Sequence, residues 1–239
     1  MKRIIYDYEK PHIVGKAKGG FSKAKIIVVI IILALLIAVV YTLFFRSSSV
    51  TLNCAEFFAV KISGQENVDV TAEQIKLLGG GGYIDDNTIV VCVYPTKQDA
   101  QAVADRYGYM VESLGKYKVK IGYSSIDVCN KVAQLCLVPE QIALELYQCV
   151  VSLDKGELSE AAAMLALENA VKIAGDSFEQ IKDLSIDFPK DKLIEGVFYA
   201  LEQISYALSE ENFYSISSHL KYCLIRVAFI YKNLLISIT

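Results

Sequence analysis

Histidine is almost missing from this 239-residue chain, with His12 and His219 the only two. Imidazole is the usual proton carrier near neutral pH and the commonest metal ligand, so both chemistries begin with little material. His219 sits among Ser217, Ser218 and Lys221 on a helical pattern. It reads there as a partly exposed helix residue, not a general base. The six cysteines, Cys54, Cys92, Cys129, Cys136, Cys149 and Cys223, include no CxxC pair and no histidine at zinc-finger spacing, which argues against a metal site. Each lies in an apolar pattern, so burial as a small hydrophobe is the favoured reading and disulfide pairing the competing one.

Basic charge is scarce beyond residue 46. Of 24 basic and 27 acidic residues, 8 and 2 fall at or before Arg46, leaving 16 against 25 and a balance of −9. Phosphate neutralisation needs a basic footprint, which excludes nucleic acid as a partner of that part. A phosphate loop is also lacking. Gly79, Gly80, Gly81 and Gly82 follow a helical stretch and carry no Lys-Ser/Thr behind them, whereas that chemistry needs a strand before the loop and the lysine after it. Asp85 and Asp86 are neighbours in an extended stretch, so they point opposite ways and make no acid/base pair. The expectation is a protein without catalytic residues, metal or cofactor.

Apolar length is present in excess, at 54% hydrophobic residues. Positions 26–45, "IIVVIIILALLIAVVYTLFF", hold no charge, and as a helix they would span about 30 Å of hydrocarbon. This reads as a transmembrane helix. A cleaved signal peptide is the competing reading, but such apolar regions run about 7 to 15 residues before a small-residue cleavage site. Here the run leaves through Phe44, Phe45 and Arg46. Lys2, Arg3, Lys10, Lys16, Lys18, Lys23 and Lys25 precede it, so the basic tail 1–25 is expected in the cytoplasm and residues 47–239 outside. The chain is thus expected in the cell membrane as a single-pass protein, with the bilayer as partner through 26–45. Residues 46–54 read as a short polar linker.

The exterior part opens with "EFFAVKIS" (56–63), whose alternation predicts a strand. "TAEQIKLL" (71–78) reads as a helix with Thr71 as N-cap candidate, ending at the glycines. "YID" is a short strand and "TIVVCVY" (88–94) a β-branched run for the middle of a sheet. "TKQDAQAVADRYG" (96–108) opens with a Thr cap and has helical apolar spacing. "YKVKIGY" (117–123) alternates again. The order βαββαβ predicts an α+β ferredoxin-like arrangement: a four-stranded antiparallel sheet, both helices on one face and the other face open. In that frame the glycines form a turn, not a flexible linker, because φ > 0 and close backbone approach both favour residues lacking Cβ.

The ordered set "EFFAVKIS", "GGGGYIDDNTIVVCVYPTKQDAQAVADRY" and "YKVKIGY" resembles a SPOR domain, the sporulation-related repeat, over residues 55–124. The likeness is to the membrane-anchored versions of clostridial-type bacteria. The family's usual first-strand Gln is Lys61 here, and the Gly after it is Ser63. The resemblance implies noncovalent binding of peptidoglycan glycan strands, in cell division or sporulation.

Strand alternation places Phe57, Ala59 and Lys61 on the face opposite Phe58, Val60 and Ile62, with Lys118 and Lys120 beside them on a neighbouring last strand. Phe57, Lys61, Lys118 and Lys120 are therefore the candidate glycan patch, extended by Tyr83 or Tyr94. The competing reading has the lysines solvating a sheet and Phe57 packing under later helices.

Residues 125–239 carry helical patterns only. Pro139 is expected at the first position of a helix, and segments 158–184, 193–208 and 216–238 complete an antiparallel helical bundle. A second membrane span near the C-terminus competes. Arg226 and Lys232 would each cost about 2.5 to 3.5 kcal/mol near a bilayer centre, which disfavours it. The alternative to a glycan binder is an envelope scaffold, whose degenerate SPOR-like domain and helical tail bind an envelope or septal protein.

Overall fold

The computed structural model describes residues 48–210 and 214–239. The apolar run 26–45 and the tail 1–25 lie outside the described residues. Ser47–Thr239 form one compact unit, and among the described residues no helix is long and apolar enough to cross a membrane.

Strand β1 (Ser48–Asn53) occupies what reads in sequence as a linker. It pairs antiparallel with β6 (Lys118–Tyr123), from Ser48 opposite Tyr123 to Asn53 opposite Lys118. Leu52, Val119 and Ile121 point inward and are buried, while Lys118 and Lys120 alternate outward and are exposed.

The larger sheet holds β2 (Phe58–Ile62), β3 (Tyr83–Asp85), β4 (Thr88–Tyr94) and β5 (Met110–Ser113) in the order β3-β4-β2-β5, all antiparallel. Pairing slips at Val60/Lys61, where Val60 faces Cys92 and Lys61 faces Val90. Helices α1 (Val68–Leu77) and α2 (Lys97–Tyr107) pack on the side of Val60 and Ile89. Thr96 caps α2 by accepting from the Asp99 amide at 3.1 Å. In α1 the N-cap is Asn67, and Thr71 lies inside the helix with its hydroxyl on the Asn67 carbonyl at 3.0 Å.

Four helices follow: α3 (Ile126–Asp154), α4 (Glu160–Asp187), α5 (Lys192–Ser209) and α6 (Ile216–Ile238). Their N-termini are capped by Ser125, Ser159, Asp191 and Ser215, each accepting a backbone amide of the first turn. Pro139 lies within α3 and does not start a helix. It has no N–H to donate to the carbonyl one turn back, yet burial of Val132, Cys136, Ile142 and Ala143 on either side keeps the helix continuous.

The expected architecture is corrected on three counts. The fourth strand of the larger sheet is β5, because "YKVKIGY" leaves to pair with β1. The sheet face expected to be open is covered: Ala59, Val90, Cys92 and Phe57 share one hydrophobic core with the helices. Finally, the described residues make an α+β unit of two small sheets and six helices, none able to span a membrane. Alternation encodes which face a side chain takes, but not which element covers that face.

Candidate functional site

The glycine run is where the last helix meets the sheet. Gly79 and Gly82 have φ of +83° and +59°, values that residues with a Cβ resist. Gly80 donates to the Ile75 carbonyl at 2.8 Å and Gly81 to the Val91 carbonyl at 2.8 Å. The carbonyls of Gly79 and Gly80 face α6, with Lys221 Nζ donating to Gly79 at 2.9 Å and Ser218 Oγ to Gly80 at 2.8 Å. Lys221 is held further by Asp154 at 2.7 Å.

With α6 docked, the sheet face is core. Phe57 is 2% exposed and meets Tyr231 edge-on at 6.4 Å between centroids. Lys61 is 5% exposed and pairs with Asp85 at 2.7 Å and Glu112 at 2.9 Å. Burial alone would lower its pKa, but the two carboxylates outweigh that and hold the ammonium above its usual range. Lys118 and Lys120 stand on the other sheet. Phe57, Lys61, Lys118 and Lys120 therefore do not form one patch.

Tyr94 meets Tyr147 at 5.9 Å and lines a cavity of about 400 Å³ with Tyr107, Tyr109, Gly79 and Gly80. Burial raises its phenol pKa well above the usual value.

Tyr83 borders a larger groove. This cavity, about 610 Å³, lies between β3, α5 and α6. Aromatic surface comes from Tyr83, Tyr206 and Phe229, and polar groups from Asp85, Glu202, Gln203, Arg226, Lys232 and Asn233. Ring packing sets the floor: Tyr83 lies 5.6 Å from Phe229 and 6.0 Å from Tyr222. Burial raises the Tyr83 phenol, which stays protonated and able to donate.

The charges around the groove are arranged in a chain. Lys61 and Lys232 each stand 5.4 Å from the Phe229 centroid, within cation–π range. Glu112 links them, with Lys61 at 2.9 Å and Lys232 at 3.8 Å. Arg226 forms an ion pair with Glu210 and lies 5.8 Å from the Tyr206 ring and 5.6 Å from that of Tyr222. Lys61 thus acts from behind the groove, holding Asp85 at its rim.

The helical half of this site was missed in the sequence. Its signal is spacing: Arg226, Phe229, Ile230 and Asn233 are a stripe at intervals of 3, 4 and 7 along α6, and Glu202 and Tyr206 are one turn apart on α5. Sequence reading used Arg226 and Lys232 only to weigh a membrane span.

Outside the groove, His219 and Cys223 are a pair to weigh for catalytic chemistry. His219 is buried, contrary to the expected partial exposure, with both ring nitrogens 3.9–4.0 Å from Cys223 Sγ. A nucleophilic cysteine needs a depressed pKa. Burial instead pushes the Cys223 thiol up to about 12 and holds the imidazole below its ordinary value. Burial thus favours the uncharged form of both groups. Among the described residues no group of three or more His, Cys, Asp or Glu is placed to hold a metal ion.

Compared with family models, curated proteins and solved structures, the chain matches none. The likeness to SPOR domains rests on the residues quoted in the sequence alone.

Proposed function

We propose that this chain is a non-catalytic glycan-binding protein of the cell envelope, held at the membrane by its apolar segment 26–45, that engages peptidoglycan through the groove between β3, α5 and α6. One observation carries the reading: Tyr83, Tyr206 and Phe229 line a single cavity of about 610 Å³ together with Asp85, Gln203, Arg226 and Asn233. Sugar recognition needs apolar ring surface against the pyranose faces and fixed donors and acceptors for hydroxyls and acetamides. This groove has both, in a volume within the usual range for ligand sites. The SPOR resemblance supports the same ligand class and a place in division or sporulation, though through a different surface from the sheet face that α6 covers. The charge asymmetry supports a cytoplasmic N-terminus and an external folded part.

A second reading, an envelope or septal protein as partner, is favoured by the exposed Leu77, Leu78 and Tyr107 near the cavity at Gly79 and Gly80. Exposed apolar side chains gathered in one place are a usual mark of protein contact.

The deciding experiment is cosedimentation of the detergent-solubilised full chain with peptidoglycan sacculi, intact or stripped of stem peptides by an amidase. Binding that rises on stripping and weakens severalfold in Tyr206→Ala is expected. Tyr206 is 69% exposed, so its truncation should leave folding intact. Failure of folded protein to bind either preparation would overturn the glycan reading and favour the protein partner.

A further inference from the structure

Together with the residues that pair with its lining charges, the groove holds four carboxylates, Asp85, Glu112, Glu202 and Glu210, against three cations, Lys61, Arg226 and Lys232. Each cation near it already has a carboxylate and a ring. Arg226 is paired with Glu210 and flanked by Tyr206 and Tyr222. Lys61 is paired with Asp85 and Glu112. Lys232 shares Glu112 and the Phe229 ring. Asp85 and Glu112 are thereby compensated as well. Glu202 lines the same cavity and is exposed. Among the described residues, none of the ion pairs within 4.0 Å involves it. It stands one helical turn before Tyr206 on α5, so a carboxylate and an aromatic ring adjoin at the open side of the groove.

A ligand carboxylate reaching Arg226 or Lys232 would share that cation with Glu210 or Glu112 and would meet the charge of Glu202 on entering. A ligand ammonium displaces nothing. It donates a charge-assisted hydrogen bond to Glu202 and gains the negative face of the Tyr206 ring. The balance of −9 beyond Arg46 draws cations toward this part of the protein at long range as well.

Resting on the glycan reading above, we propose that the groove selects amino sugars whose acetyl group has been removed, with Glu202 as the specificity-determining residue. The ligand class is a β-1,4-linked glycan carrying free protonated amines. An acetylated unit can offer Glu202 only a neutral amide N–H. Against the same exposed carboxylate, an ammonium in place of that amide should gain about two- to fivefold in affinity, the range of an exposed ion pair.

The test is calorimetric titration of the full chain in detergent micelles with two tetramers. One is β-1,4-linked N-acetylglucosamine and the other its fully deacetylated counterpart, at near-physiological salt and a pH low enough to protonate the amines. Tighter binding of the deacetylated tetramer is expected. Glu202→Gln should abolish the preference, by weakening binding of the deacetylated tetramer more than that of the acetylated one. Glu160→Gln, at the start of α4 and outside the groove, should keep the preference although it removes the same charge. Equal affinity for the two tetramers, or a preference that survives Glu202→Gln, would overturn this inference and leave the glycan reading standing. Binding of neither tetramer by folded protein would overturn both.

Discussion

Gly81 lies directly under Ile225, so that a Cβ on Gly81 would stand 2.4 Å from Ile225 Cδ1 and 3.1 Å from the backbone carbon of Lys221. The side chain of Ile225 could turn away, but the α6 backbone cannot. The four glycines therefore serve as the surface on which α6 lands, with Lys221 and Ser218 bound to the carbonyls of Gly79 and Gly80.

Gly81→Ala should destabilise the folded unit by about 1–3 kcal/mol, the usual cost of overpacking. Gly79→Ala should also destabilise, for a different reason. A Cβ there meets nothing within 4 Å, but φ is +83°, which costs roughly 1–2 kcal/mol for a residue with a side chain. In an Ile225→Ala background the added cost of Gly81→Ala should shrink while that of Gly79→Ala should not. Urea midpoints of the three single and two double variants make the comparison.

Phe57→Ala should act on stability, not on ligand affinity. The ring is buried against Tyr231, and truncating such an aromatic costs about 3–5 kcal/mol. Chemical denaturation should show the loss, while the affinity of the fraction that remains folded stays at the wild-type value. A Phe57→Ala protein of normal stability with weakened glycan binding would restore the sheet face as the site.

Thiol labelling should separate one cysteine from five. All six are free and only Cys149 is partly accessible. Burial pushes Cys92 up to about 11, and Cys136 and Cys223 up to about 12, so thiolate is scarce at mildly alkaline pH. A thiol reagent should modify about one site per native chain rapidly and the rest only on unfolding. Cys149→Ser should remove the fast phase, with the modified residue read by mass spectrometry.

Acidification should weaken the fold through His219. Burial lowers its folded pKa below the ordinary 6.5, with Glu210 acting in the opposite direction. A depressed folded pKa gives stability that is fully present above the unfolded value and is lost as pH falls through the folded one. Between roughly pH 7.5 and 5.5 the wild-type urea midpoint should therefore fall more than that of His219→Gln. Identical slopes would show that the ring does not titrate on unfolding.

Local patterns were legible wherever the cause was local. Alternation in "FFAVKIS" and the β-branched run "TIVVCVY" placed those strands, and the Thr96 cap placed α2. Phe57, Ala59 and Lys61 do share a face, as the period of two requires. The linker reading failed at β1 because "SSVTLN" offers only Val50 and Leu52 as apolar residues, and its strand conformation comes from pairing with β6. Thr71 was misread as a cap although Asn67, a stronger N-cap residue type, stands one turn earlier and occupies the cap. Of the groove, only Tyr83 was named. Its other walls lie more than 100 residues further along the chain.

The sequence alone settles where charge and apolar length lie: the uncharged run at 26–45, the acidic balance beyond it, the scarcity of histidine and the positions of most strands and helices. These follow from composition and from side-chain periods of 2 and 3.6, which act over a few residues. Tertiary structure decided what the sheet face is for. Whether Phe57 stacks on a ligand or on Tyr231, and whether Lys61 meets solvent or Asp85 and Glu112, depended on α6 finding a bare backbone at Gly79–Gly82. That contact joins segments about 140 residues apart in the chain. Burial of apolar area is non-directional, so a pattern can say that a face will be covered, but only the packed fold says by what.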